Sequence, residues 1–288
     1  MKLIFFGSGY CSKYILPRLD EKFEIICTHN STFKSQEFDK NLNLRRLTFR
    51  EFIKEKRVLL KNVTHIINSI PPVNNKDLVA NCLKSDLEEL SKKLEWFGYF
   101  SSTSVYGDHS GNWVDEKTKT RPTTARGINR AKAEESFLKL FKENSLPIHV
   151  FRLPGIYGPG RSAIDKVLNG NRLAIKKKKH FFSRVHVEDL ASAVILSIKE
   201  PTPGEIYNLT DDYPCGSDEV MEYAAKLLKI KNLNFVKINT EKVSEKKRSF
   251  YNDNKRVSNR KIKKILNWTP KFENYKLGLE NILKDYDL

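Results

Sequence analysis

Cysteine, methionine and tryptophan are scarce in this chain, at four, two and three of 288 residues. Cys11, Cys27, Cys82 and Cys215 are widely separated and form no C-x-x-C pair, so neither a disulfide framework nor a cysteine-built metal site is indicated. They read as reduced structural thiols, and cytoplasmic residence is the expectation. The six histidines show no zinc-ligand spacing. Long apolar runs are also missing. None approaches the ~20 residues of a membrane span, and Ala191–Ile198 is broken by serines. The start, Met1-Lys2-Leu3-Ile4-Phe5-Phe6, resembles the beginning of a signal peptide, but Gly7-Ser8-Gly9 interrupts it before an apolar core forms. No internal repeat, low-complexity linker or recognisable nucleic-acid module is present.

What the chain has in excess is positive charge: 52 Lys and Arg against 35 Asp and Glu, a formal +17. Such a balance invites a nucleic-acid or membrane-surface reading. The excess is spread evenly, however, with 25 basic against 18 acidic residues in 1–150 and 27 against 17 in 151–288. With asparagine also abundant, an AT-rich coding sequence explains most of it. Lys176–Lys179 and Lys246–Arg260 are local runs that read as solvated surface and packing anchors. The 17 Phe and 11 Tyr argue for a packed interior, and the length allows one large or two modest domains.

Short apolar runs alternate with helical patterns through the first half. Strands are expected at Leu3–Phe6, Phe23–Thr28, Leu44–Thr48, Val63–Ser69, Trp96–Ser101 and Ile148–Leu153. Helices are expected at Tyr10–Leu19, Glu51–Arg57, Lys76–Leu94 and Thr123–Asn144. This alternation predicts a Rossmann-type, doubly wound parallel α/β sheet. Later come helices at Val187–Lys199, Asp218–Lys229, Ile262–Leu266 and Tyr275–Leu283, and a strand at Ile206–Thr210.

Gly7-Ser8-Gly9-Tyr10-Cys11-Ser12 follows the first strand directly. In a dinucleotide fold the first glycine makes the tight turn and the second lets the backbone approach a pyrophosphate. Ser12 is small enough for close helix–strand packing. The end of the second strand normally selects the cofactor, a carboxylate favouring NAD and a basic residue NADP. Here Cys27-Thr28-His29-Asn30-Ser31, with Lys34 beyond, holds no carboxylate. NAD and NADP both stay open, with a lean to NADP through Asn30, Ser31 and Lys34.

Several motifs run in order along nearly the whole chain. They are the glycine turn, Ser101-Ser102-Thr103-Ser104-Val105-Tyr106-Gly107-Asp108, Arg152-Leu153-Pro154-Gly155-Ile156-Tyr157-Gly158-Pro159-Gly160-Arg161, Val185-His186-Val187-Glu188-Asp189-Leu190-Ala191 and the closing 259–279. Jointly they resemble the extended short-chain dehydrogenase/reductases, the NAD-dependent epimerase/dehydratase group. His65-Ile66-Ile67-Asn68-Ser69-Ile70-Pro71-Pro72 and Trp113-Val114-Asp115-Glu116 resemble its atypical, YeeZ-like subgroup.

The resemblance implies a dinucleotide-binding domain over 1–160 with a return at 183–211. A smaller C-terminal α+β substrate domain would comprise 161–182 and 212–288. It places Gly7, Ser8, Gly9, Tyr10, Cys11, Asn30, Ser31, Pro71, Pro72, Ser101, Arg130 and Pro154 at the cofactor. Ser102 and Thr103 stand where the family's Ser or Thr hydrogen-bonds the reacting oxygen. The family's Tyr and Lys, four residues apart on the following helix, match Arg126 and Arg130. A guanidinium stays protonated and has no phenol oxygen to relay a proton, so Arg126 does not inherit the tyrosine's role. Arg130 can still donate to ribose hydroxyls or a phosphate, and together the pair can clamp a carboxylate or phosphate. Tyr106, Asp108, His109 and Tyr157 are the alternatives for moving the proton, although tyrosines in such turns commonly pack.

Two functions remain: an NAD(P)-dependent oxidoreductase or epimerase acting on a small hydroxy or keto substrate, a sugar nucleotide among the options, or a dinucleotide-binding sensor without turnover. The expected partners are a small-molecule substrate, an anionic one included, and a second copy of the chain. A membrane and nucleic acid are not expected.

Overall fold

The computed structural model describes residues 1–29, 43–241 and 243–286, so Asn30, Ser31 and Lys34 lie outside the described residues. The first part of the chain forms β1 (Lys2–Phe6), α1 (Ser12–Ile15), β2 (Glu24–His29), β3 (Leu44–Thr48), α2 (Phe49–Leu59), β4 (His65–Asn68), α3 (Leu78–Cys82), α4 (Lys84–Leu90) and β5 (Trp96–Ser102). Then follow β6 (Trp113–Val114), α5 (Ala125–Asn144), β7 (Ile148–Leu153), β8 (Gly155–Tyr157), α6 (Ala163–Leu168), β9 (Leu173–Lys176), β10 (Arg184–His186), α7 (Val187–Lys199) and β11 (Ile206–Asn208). The C-terminal stretch holds α8 (Ser217–Leu227), β12 (Asn234–Lys237), α9 (Glu245–Ser249), β13 (Arg256–Val257), α10 (Arg260–Ile265) and α11 (Tyr275–Leu283).

Two compact units result. The first comprises Met1–Ser102, Ala125–Arg152 and Leu190–Tyr207. Among the described residues its sheet has seven strands in the order β11-β7-β5-β4-β1-β2-β3. β1 pairs in parallel with both β2 and β4, β2 with β3, and β4 with β5. The fold is therefore Rossmann-type α/β, as the alternation predicts. Strand order reverses between β1 and β4, and the carboxyl ends of the strands at such a switch point are where doubly wound sheets bind ligands.

Local chemistry sets the element ends. β4 and β7 are buried at every residue, the pattern of strands covered on both faces. Thr48 and Glu51 form a capping box, Glu51 N donating to Thr48 Oγ1 and Thr48 N to Glu51 Oε2, so α2 begins at Phe49, two residues before the expected start. The helix expected over Lys76–Leu94 is two helices, because Leu83 leaves helical geometry at φ −121°, ψ 21°. Pro17 ends the first helix early, in a 3₁₀ turn at Leu16–Arg18. The core joins Ile4, Phe6, Ile26, Ile66, Phe97 and Phe137, with Phe6 edge-on to Phe52 at 4.9 Å between ring centres.

The second unit comprises Thr103–Thr124, Leu153–Asp189 and Asn208–Leu288. Its short strands pair as β8 with β10, β9 with β12 and β6 with β13. Its core packs Ile164, Val167, Ala174, Met221, Ala224, Leu279 and Ile282.

Candidate functional site

The turn after β1 is held on both sides. Gly7 has φ +79°, and a Cβ there would lie 2.9 Å from Ile70 Cγ1 and 3.0 Å from Ile70 N. Only glycine fits. Gly7 N donates to Thr28 Oγ1 at 3.1 Å, and Ser69 Oγ donates to Gly7 O at 2.7 Å. Ser8 donates twice to Thr28 O, from N at 2.8 Å and from Oγ at 3.0 Å. Ser12 Oγ closes the turn onto Gly9 O at 2.7 Å. Gly9 differs from Gly7: it is exposed, and a Cβ there would meet nothing nearer than Gly7 O at 3.9 Å. The turn is thus pinned at its first glycine and open at its second. Tyr10 and Cys11 continue it, both half-buried, with the Tyr10 ring 5.5 Å from Tyr14.

The segment after β4 forms the adjoining wall. Asn68 Nδ2 donates to both oxygens of Asp77, at 3.0 and 3.1 Å, while its Oδ1 accepts from Ile70 N. Asp77 also caps α3, accepting from Val79 N and Ala80 N. Burial raises its carboxyl above the usual range, opposed by these donors. Pro71 is exposed and Pro72 buried, and Pro72 O accepts from Asn129 Nδ2 of α5 at 3.4 Å.

At the end of β5 three consecutive residues are tied to α5. Arg130 Nη1 donates to Phe100 O and, at 3.2 Å, to Tyr99 Oη. Ser101 Oγ donates to Glu134 Oε1, one helical turn beyond Arg130. Glu134 in turn accepts from Arg152 of β7, from Nη2 at 2.7 Å and from Nε at 3.1 and 3.2 Å. Both charged side chains are only 5% exposed. Ser102 is half-buried at the strand end, and Arg126 is exposed on the first turn of α5.

In the second unit, Thr103 is half-buried and opens a 3₁₀ turn that ends at Tyr106. Tyr106 is fully buried and donates to Asn208 Oδ1 at 2.8 Å, the geometry of a packing residue. His109 Nε2 lies 3.1 Å from Tyr106 O, and Asp108 accepts from Asn254 N at 2.7 Å. Tyr157 is buried, its ring edge-on to His186, and burial raises its hydroxyl far above the ordinary value. Pro154 is half-buried between β7 and β8.

Asp211 is 2% exposed, and burial pushes its carboxyl up to about 8. The folded state therefore holds this proton more tightly than the unfolded chain, whose aspartates titrate near ~3.9. The associated stability is fully present below about 4 and is lost as pH rises towards 8. Asp211→Asn is expected to gain stability relative to wild type between pH 5 and 8, read from urea midpoints. A difference independent of pH would refute this.

The family profile described as "NAD dependent epimerase/dehydratase family" matches residues 7–210. The chain belongs to this family. A solved structure of a functionally unknown conserved protein from Silicibacter pomeroyi is 36% identical with a TM-score of 0.89, covering 100% of this chain and 99% of that one. Protein YeeZ of Escherichia coli K12 is 34% identical over 114 residues, 38% of each chain. A dTDP-glucose 4,6-dehydratase from Bacillus anthracis, solved in complex with NAD, shares the fold at a TM-score of 0.77 and 19% identity, covering 100% of this chain and 96% of its own. Among the described residues no helix is long and apolar enough to cross a membrane.

Within this epimerase/dehydratase member the first unit gathers Gly7, Ser8, Gly9, Pro72, Ser101 and Arg130 on the elements around the switch point. Thr28, Ser69, Asn129, Glu134 and Arg152 fix their positions, and sequence reasoning gave these no role. Thr28 and Ser69 could have been found from their place at strand ends beside the glycine turn. Buried Glu134 and Arg152 carry no local signal, since charged residues on a helix and a strand read as surface.

Proposed function

We propose that the chain is an NAD(P)-binding oxidoreductase of the epimerase/dehydratase type, acting on a small hydroxy or keto substrate, a sugar nucleotide among the options. The observation that carries this reading is the glycine turn, pinned at Gly7 and clear of protein atoms at Gly9. That shape suits a dinucleotide pyrophosphate approaching the backbone. Gly7–Cys11 and the Ser69–Pro72 wall would hold the cofactor, with Ser101 and Arg130 beside them. When bound, the nicotinamide supplies the hydride chemistry. Ser102 and Thr103 would orient the substrate oxygen by hydrogen bonds. Arg126 favours an anionic substrate, because an exposed guanidinium binds a carboxylate or phosphate in two-pronged fashion. Arg130 adds less to such a clamp than the sequence alone suggests, since its Nη1 already serves Phe100 O and Tyr99 Oη.

The test begins with calorimetric titration of NAD⁺, NADP⁺ and their reduced forms. Absorbance of the reduced nicotinamide is then followed with a panel of keto-sugars and aldehydes. Binding with turnover supports the enzyme, and no binding by any of the four removes the reading. Binding with no turnover favours the second reading, a dinucleotide sensor, which the arginines at positions 126 and 130 support because neither relays a proton.

The double substitution Arg126→Tyr with Arg130→Lys restores the family's pair. It is expected to leave dinucleotide affinity within about threefold, since ~0.65 kcal/mol separates such values. A larger loss in the titration would show instead that the arginines hold the cofactor.

A further inference from the structure

The two arginines of β3 serve opposite faces of the strand. Arg45 pairs with Glu55 of α2 at 2.8 Å. Arg46 stands beside Cys27 of β2 in the parallel register, and β2 lies between it and β1. Its Nη1 nevertheless donates to Ser8 Oγ, in the turn that follows β1, at 3.2 Å. The guanidinium therefore reaches across β2 to the glycine turn. Ser8 is anchored there by its two hydrogen bonds to Thr28 O.

That position matters for a dinucleotide. In a doubly wound fold the adenosine ribose lies between the glycine turn and the end of the second strand. A carboxylate there accepts from its hydroxyls and repels an added phosphate. The described end of β2, Cys27-Thr28-His29, has no carboxylate. Among the described residues of β3 and α2, Glu55 is engaged with Arg45 and Glu51 with Thr48 in its capping box. Arg46 instead brings a cation to the glycine turn, where it is tied to Ser8.

We propose that Arg46 selects the cofactor, its guanidinium receiving the 2′-phosphate of NADP beside Ser8, so that the chain prefers NADP(H) to NAD(H). This rests on the dinucleotide-binding reading above. The planar guanidinium fork matches a phosphate dianion, and the unphosphorylated ribose offers it no charge to meet.

The experiment is calorimetric titration of the full chain with NADP⁺ and NAD⁺, and with 2′-AMP and 5′-AMP as fragments. Wild type is expected to favour NADP⁺ by roughly tenfold or more. Arg46→Ala is expected to weaken NADP⁺ about ten- to hundredfold while leaving NAD⁺ within about twofold. Arg46→Lys should retain part of the preference as a point charge. Equal losses for both dinucleotides would assign Arg46 to the turn or the pyrophosphate and overturn the proposal. So would a wild type that prefers NAD⁺, or an alanine variant with undiminished NADP⁺ affinity. If the alanine variant melts early, the wild-type preference for 2′-AMP over 5′-AMP decides, and its absence overturns the proposal. Failure of wild type to bind either dinucleotide overturns the underlying reading instead.

Discussion

Glu134→Ala is expected to lower the unfolding free energy by about 3–5 kcal/mol, measured by urea denaturation. The carboxylate accepts three hydrogen bonds from Arg152 and one from Ser101, and the ion pair is 5% exposed on both sides. Without it the guanidinium stays buried with its main partner gone, and removing one partner costs more than the pair itself contributes. Two further variants separate these terms. Glu134→Gln keeps an acceptor for Ser101 but not the charge, and should fall between. Glu134→Leu with Arg152→Met removes both charges and should recover much of the loss. A drop below ~1 kcal/mol for Glu134→Ala would mean that water or another side chain reaches Arg152.

Gly7→Ala and Gly9→Ala are expected to fail differently. At Gly7 the φ of +79° costs an L-residue ~1–2 kcal/mol before any contact is counted. The new methyl would also press on Ile70 N at 3.0 Å, which is backbone and cannot swing aside. Stability and dinucleotide affinity should fall together. At Gly9 the methyl meets no protein atom nearer than 3.9 Å. Its melting temperature should match wild type, while dinucleotide affinity falls on the order of tenfold or more, because the methyl occupies the pyrophosphate's approach. Unchanged affinity in a stable Gly9→Ala would move the ligand away from this turn.

The legible parts of the fold are those whose pattern one layer of environment decides. β7, buried at all six positions, lies at Ile148–Leu153 as its apolar run predicts, and α7 and α11 match their expected spans. The paired strands β6 and β13 are two residues each, too short for any alternation to be read. The break at Leu83 was hidden because apolar spacing continues through it. At the site, the glycine turn was visible because backbone conformation demands a particular residue there. Arg46 was not, since an arginine on an edge strand reads as solvent-facing. Glu134 was obscured in the same way. Four residues after Arg130 on a helix, it looks like half of a surface ion pair, yet both side chains reach inward to β5.

The two ties at the end of β5 differ in kind, and that bears on how the site can evolve. Arg130 grips a main-chain carbonyl, that of Phe100, whereas Glu134 grips a side chain, that of Ser101. The first survives any replacement at position 100. The strand is therefore held by its peptide at Phe100, and the residues that follow Ser101, Ser102 at the strand end and Thr103 after it, can be exchanged without loosening that hold. A lineage carrying this bracket could lose, regain or replace its reactive groups one at a time while the scaffold that presents them stays in register.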